Sequence, residues 1–155
     1  MLAKKLIEAL IVHADQIAAK TAESLTRHPY TKYYHTIEVK EIERRLKGIF
    51  KHFERWQQDH AVENLQETYL KFGKVRYHEG VPLPDLLYAL ILVKSHLMEF
   101  LKKTVFTDSP VQLYQEMQFY DSTERFFEEM IYFAVKGYIE SGEEEHNERK
   151  TSSYA

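Results

Sequence analysis

The eight histidines are the side chains of this sequence best suited to hold a metal or a heme, and their spacing decides what each can do. A di-iron carboxylate bundle needs Glu-x-x-His on two helices with further glutamates facing inward. That spacing occurs once, from Glu143 to His146, in the polar C-terminal stretch. There is no His-Glu-x-x-His run, and no two histidines stand four apart, which removes the zincin pattern. With no cysteine there is no thiol nucleophile, no disulfide and no Cys-type zinc site. The sequence also lacks a Gly-x-Ser-x-Gly elbow and a glycine-rich phosphate loop. Glu128-Glu129 and Glu143 to Glu145 read as solvated helix faces, since neighbouring glutamates repel unless lysine or arginine intervenes. No catalytic or metal-binding residue is assigned, and the chain is expected not to be an enzyme.

Two histidines fall on apolar stripes: His13 between Leu10 and Ile17, and His96 between Leu92 and Phe100. An imidazole placed this way can ligate heme iron or a small apolar ligand. It can equally sit at a core edge and bond a carbonyl or carboxylate, the commoner outcome for buried polar groups. His52, between Ile49 and Trp56, poses the same choice. Eleven tyrosines, nine phenylalanines and one tryptophan can line a pocket for a flat ligand, or form a core whose tyrosine hydroxyls reach the surface.

The elements that must position these residues are all helical. Glycines and prolines are few and clustered, so they punctuate the chain. A first helix runs from about Leu2 to Arg27 with Leu6, Leu10, His13 and Ile17 on one stripe, and stops at His28-Pro29 because the residue before proline avoids the helical region. Thr36 is expected to cap a second helix carrying Val39, Ile42, Leu46, Ile49, Phe53 and Trp56. A third carries Val62, Leu65, Tyr69 and Phe72 and ends at Glu79-Gly80. Pro84 opens a fourth, whose Leu86 to Val93 run is apolar on every side, as in a helix surrounded by others. Thr107-Asp108-Ser109-Pro110 is expected to be the turn and cap before a last helix with Leu113, Met117, Tyr120, Phe127, Met130, Ala134 and Tyr138 on its stripe. With no period-2 segment of useful length, the expected class is all-α: about five long helices in an antiparallel bundle or a globin-like arrangement.

At 155 residues the chain is the size of one domain, expected over 1–141, with 142–155 a polar, disordered tail. Lysine and arginine number 21 against 24 aspartates and glutamates, a formal net charge of −3 with the signs interspersed. Nucleic acid is therefore not an expected partner. Glu8, His13 and Asp15 interrupt the apolar start, which reads as an amphipathic helix and not a signal peptide. Leu86 to Val93 is far short of the roughly 20 residues that span a bilayer. The expected setting is the cytoplasm.

The run Phe72-Gly73-Lys74-Val75-Arg76-Tyr77-His78-Glu79-Gly80-Val81-Pro82-Leu83-Pro84-Asp85-Leu86-Leu87-Tyr88-Ala89-Leu90 resembles the N-terminal domains of RsbRD-type bacterial stress and signalling proteins. That family has a helix ending in Gly-x-x-Arg, a Gly-(Val/Ile)-Pro-Leu elbow and then a very apolar helix. Phe126 to Glu140, with its Phe-Phe start and Gly137-Tyr138 end, is similar to the family's closing helix. Together with the tyrosine-rich lead into Glu41 to Trp56, the similarity spans most of residues 28–140. The resemblance implies a helical sensory or regulatory module, fused upstream of a signalling output domain and carrying no catalytic residues. About fifteen polar residues follow Glu140, so that output domain is expected to be absent here.

The same residues have structural work to do. Arg76 and His78 set positive charge at a helix C-terminus, Gly80 ends the helix, and Pro82 and Pro84 fix the direction of the next one. Amphipathic end helices lead us to expect a homodimer formed through the first or last helix, with a signalling protein as a further partner and no resident cofactor.

Overall fold

The computed structural model describes residues 2–59, 62–104 and 109–153. It is an all-α bundle of five helices: α1 (Leu2–Arg27), α2 (Val39–Asp59), α3 (Val62–His78), α4 (Leu83–Thr104) and α5 (Pro110–Ser153), with a 3-10 turn at Lys32–Thr36 between α1 and α2. The described residues contain no strand. No helix is long and apolar enough to cross a membrane, among the described residues.

Cross-helix pairs set the directions. Arg45–Glu79 and His52–Tyr69 make α2 and α3 antiparallel. His13–Phe100 and His28–Tyr88 do the same for α1 and α4, and Lys94–Glu124 and Tyr138–Val81 for α4 and α5. α3 and α5 run parallel, since Gly73 meets Ala134 and Tyr77 meets Glu145. α3 also makes its most extensive packing against α5.

The centre of the bundle is α5 and not α4. α5 packs against all four other helices, whereas α4 leans mainly on α1 and α5 and leaves Ile91 39 % exposed. The run from Leu86 to Val93 therefore overstates burial: Leu86, Ala89, Leu90 and Val93 are buried and Leu92 packs partly against the core, while Leu87 and Tyr88 are half-buried and Ile91 is exposed. On α5 the buried line is Phe119, Phe126, Phe127, Met130 and Ala134, while Leu113 and Met117, expected on the stripe, are exposed. The first two turns of α5 extend past the core, so a stripe continued by periodicity alone has nothing to pack against there.

On α1 the buried line runs through Leu6, Leu10, Ile17, Ala18, Thr21, Ala22 and Leu25, with Ala14 packed against it. One residue is about 100° of helix, so a face that includes Ala14 turns His13 out to solvent. Thr36 is not the cap of α2. It belongs to the 3-10 turn and donates its hydroxyl to the Tyr33 carbonyl at 3.0 Å. In the expected cap before α5, Thr107 and Asp108 lie outside the described residues, as does the side chain of Val62. Ser109 does cap α5: its Oγ accepts from the Gln112 N–H at 3.2 Å.

The stretch expected to be a disordered tail is helical through Ser153. Charge explains the difference. Arg149 sits four residues after Glu145 and pairs with it at 2.6 Å, while Tyr77 and Lys74 of α3 reach Glu145 and Glu144 at 2.5 and 3.8 Å. The acidic run is thus partly neutralised, both along its own helix and from the neighbouring one.

Candidate functional site

The groove between α1 and α4 collects most of the chemistry-bearing residues picked out above. It is a cleft of about 170 Å³ with Ile17 and Phe100 as its apolar wall and Gln16, Lys20, His96, Glu99 and Lys103 around it. Antiparallel packing of α1 on α4 brings Lys20 beside His96. Half-burial lowers the His96 pKa below the ordinary histidine value, and the Lys20 ammonium adds to this against the opposing carboxylate of Glu99. Glu99 itself is held by Lys103 at 2.7 Å, whereas Lys20 has no ion-pair partner among the described residues.

His13 lies on the rim of the same seam. Its ring is tilted against Phe100 with centroids 5.6 Å apart, and its Nδ1 is 3.1 Å from Gln16 Oε1. The two histidines are thus brought to one interhelical groove, His13 outside and His96 within. The arrangement does not fit a heme. The cleft is smaller than the roughly 300 Å³ at the low end of pockets for organic ligands, and its rim is charged. What fits is a small organic ion contacting Lys20 and His96 above the Phe100 ring. Gln16 and Lys20 carried no signal in the sequence, because each is ordinary for a helix surface and only the crossing of α1 and α4 brings them to the Phe100 and His96 stripe.

His52 takes the structural option. It is half-buried, its Nδ1 lies 3.1 Å from the Tyr69 hydroxyl, and its pKa is lowered first by burial and then by the nearby Arg55. Tyr69 is 1 % exposed, and burial drives its phenol pKa well above the usual tyrosine value. With Tyr69 held protonated, we assign its phenol as the donor and neutral His52 as the acceptor.

The residues of the family-like signature meet at the joint between α3 and α4. Gly80 takes φ +83°, its N–H bonds the Tyr77 carbonyl at 3.0 Å, and the Val81 N–H bonds the Arg76 carbonyl at 3.2 Å. This pair is a Schellman cap, which requires the left-handed residue that glycine supplies. Pro82 cannot continue a helix inherited from α3, but its carbonyl accepts the Leu86 N–H at 3.0 Å, so α4 is nucleated across the elbow with Pro84 in its first turn. Tyr138 of α5 closes the joint by donating its hydroxyl to the Val81 carbonyl at 2.6 Å. Gly137, next to it, packs directly on the backbone of α3 at Leu70.

Arg76 stacks 4.9 Å over the Phe72 ring and pairs with Glu79 at 3.4 Å, a carboxylate it shares with Arg45. Arg45 in turn reaches Glu41 at 3.1 Å. Beneath them Tyr34 is 6 % exposed, and burial pushes its phenol up to about 12 despite the two guanidiniums nearby. The 3-10 turn is pinned to α4 from the same side, with the Tyr33 N–H donating to Asp85 Oδ2 at 3.0 Å. Gly80, Gly137 and Tyr138 thus join α3, α4 and α5, while the contacts of Arg76 lie within α3 and with the Glu79 carboxylate at its end.

No protein-family model, curated protein or solved structure matches the chain.

Proposed function

We propose that this chain is a non-enzymatic bacterial regulatory module of the RsbRD N-terminal type, acting in the cytoplasm through protein contact and self-associating as a homodimer. The observation that carries the reading is the apolar surface left at the helix ends. Val111, Leu113, Tyr114 and Met117 in the first turns of α5 are each at least half exposed, as are Ile11 and Val12 on α1. Four large apolar side chains within seven residues are more than the scattered single exposures normal for a monomer. The signature joint supports the same reading by building a rigid α3–α4–α5 frame from which such a surface can be presented. Light scattering on the eluting protein is expected to give a dimer mass at high micromolar concentration, and Met117→Glu or Val12→Glu a monomer. A strict monomer for the unaltered chain at that concentration overturns the dimer.

The α1–α4 groove favours a second reading, a module that responds to a small organic anion held by Lys20 and His96. Its motivation is a lysine with no ion pair among the described residues, facing a half-buried imidazole across an apolar wall while the nearby Glu99 is taken up by Lys103. Calorimetric titration with a panel of short-chain carboxylates and phosphate esters tests it. Saturable binding lost in Lys20→Ala supports the reading, and no heat from any member of the panel overturns it.

A further inference from the structure

A second cleft lies between the end of α3 and the last third of α5, directly beside the signature joint. It encloses about 570 Å³, within the range of roughly 300–1,000 Å³ typical of small-molecule sites. Two of its walls are Tyr77 and Tyr138, whose rings stand edge to face with centroids 5.2 Å apart. Glu144, Glu145 and Glu148 form its acidic side. Gly80, which carries no side chain, leaves one margin open, and His78 stands beside it.

Three acidic residues alone define nothing, but the floor of this cleft adds an independent feature. Ser141 is 2 % exposed, lines the cleft, and its Oγ has no hydrogen-bond partner among the described residues. A buried hydroxyl without a partner is uncommon in folded proteins and marks a place where a donor or acceptor is missing. The carboxylates are also incompletely neutralised. Glu145 is engaged by the Tyr77 hydroxyl and Arg149, and Glu144 only at 3.8 Å by Lys74, while Glu148 has no ion pair among the described residues.

We propose that this cleft binds a protonated organic amine. An ammonium group is the one ligand chemistry that uses all three features at once: it is attracted to aromatic faces, it pairs with carboxylates, and its N–H groups donate to a hydroxyl oxygen. A bare divalent cation is disfavoured, because no group of three His, Asp or Glu side chains converges closely enough to hold one among the described residues. The ammonium sits between Glu148 and Glu144 with one N–H on Ser141 Oγ and its alkyl chain along Tyr77 and Tyr138. The amine is either a free small molecule or a lysine side chain presented by another protein, and the chemistry is the same for both.

Amide NMR titration of the intact chain at low ionic strength tests this, with 1,4-diaminobutane standing for the free amine and an acetylated, amidated lysine for the protein side chain. Saturable shifts are expected at Tyr77, His78, Gly80, Ser141 and Glu148. Tighter binding of the diamine assigns a free ligand, and tighter binding of the lysine probe a protein partner. Glu144→Gln combined with Glu148→Gln, both on the outer side of α5, is expected to weaken binding about fivefold or more, the combined effect of two partly exposed ion pairs. Absence of saturable shifts with both probes overturns the proposal, as does binding that the double variant leaves unchanged. The result is independent of the oligomeric state, so failure here and failure of the dimer are read separately.

Discussion

Gly73 of α3 and Gly137 of α5 sit on opposite sides of one helix crossing, each pressed against the other helix's backbone. A Cβ on Gly73 would fall 1.9 Å from the Ala134 carbonyl oxygen, and one on Gly137 would fall 2.1 Å from that of Leu70. These obstacles are main-chain atoms within helices, which cannot move aside as a flexible side chain can.

Gly73→Ala and Gly137→Ala are therefore each expected to destabilise the fold by about 3 kcal/mol, at the upper end of the overpacking range, because α3 and α5 must separate. Gly48 in α2 provides the control, since a Cβ there meets nothing within 4 Å. Gly48→Ala should stabilise by about 0.5–1 kcal/mol by removing glycine's extra freedom from the unfolded chain. Urea midpoints at unchanged slope check both signs, and a Gly73→Ala protein as stable as the parent contradicts the tight crossing.

At the elbow the two contributions are separable. Gly80→Ala meets no atom within 4 Å, so its cost, about 1 kcal/mol, is the left-handed backbone alone. Tyr138→Phe keeps the ring and removes the hydrogen bond to Val81, with an expected loss of about 1 kcal/mol. Thermal unfolding of the two single variants and the double variant measures whether cap and clamp act independently. A strongly non-additive double variant would show that the Tyr138 bond forms only on a correctly capped α3.

His52 predicts a pH dependence with a definite sign. Its pKa in the folded chain lies below the unfolded value of about 6.5, so the native state binds the proton less well. Its contribution is complete above pH ~6.5 and is lost as the pH falls through that value, because protonated Nδ1 can no longer accept from the Tyr69 hydroxyl. The stability difference between the parent and His52→Leu, followed by urea unfolding from pH 8 to pH 5, should move against the parent as the solution is acidified. A difference that moves in its favour would reverse the assigned donor and acceptor.

His96 is expected to titrate below ordinary histidine in an NMR pH series, because burial, aided by Lys20, outweighs the Glu99 carboxylate that favours its protonation. Lys20→Gln should raise its pKa toward the normal value while leaving the fold intact, as the Lys20 side chain is at the surface. No change on substitution would place Lys20 away from the groove.

Much of this fold is written in residues whose partners are near in sequence. The α2 stripe from Ile42 to Trp56 is buried as its spacing requires, and Gly80, Pro82 and Pro84 mark the joint they build. The misjudged places depend on which helix lies opposite. His13 and Ala14 are adjacent, and only the docking of α1 decides which of them turns inward. Leu113 and Met117 continue a correct period beyond the end of the core, and the helix after Ser141 owes part of its order to Tyr77 and Lys74, more than sixty residues earlier. The α1–α4 groove was legible only as two isolated histidines, since Lys20 and Gln16 gain meaning when α4 lies beside them. The acidic cleft was not legible at all, because a glutamate run reads as solvated surface until two tyrosines and a buried serine are found against it.

The unbroken course of α5 has a mechanical consequence. At 44 residues and about 1.5 Å per residue it is a rod of about 66 Å, with the bare apolar turns at one end and the carboxylates of the acidic cleft toward the other. With no proline after its first residue, the rod has no built-in hinge of that kind. The glycine crossing near its middle, at Gly137, is the point at which it is held most closely. The buried line from Phe119 to Ala134 also clamps the rod on the side of the apolar turns, so the two ends are presented on opposite sides of one core at a separation set by the helix itself.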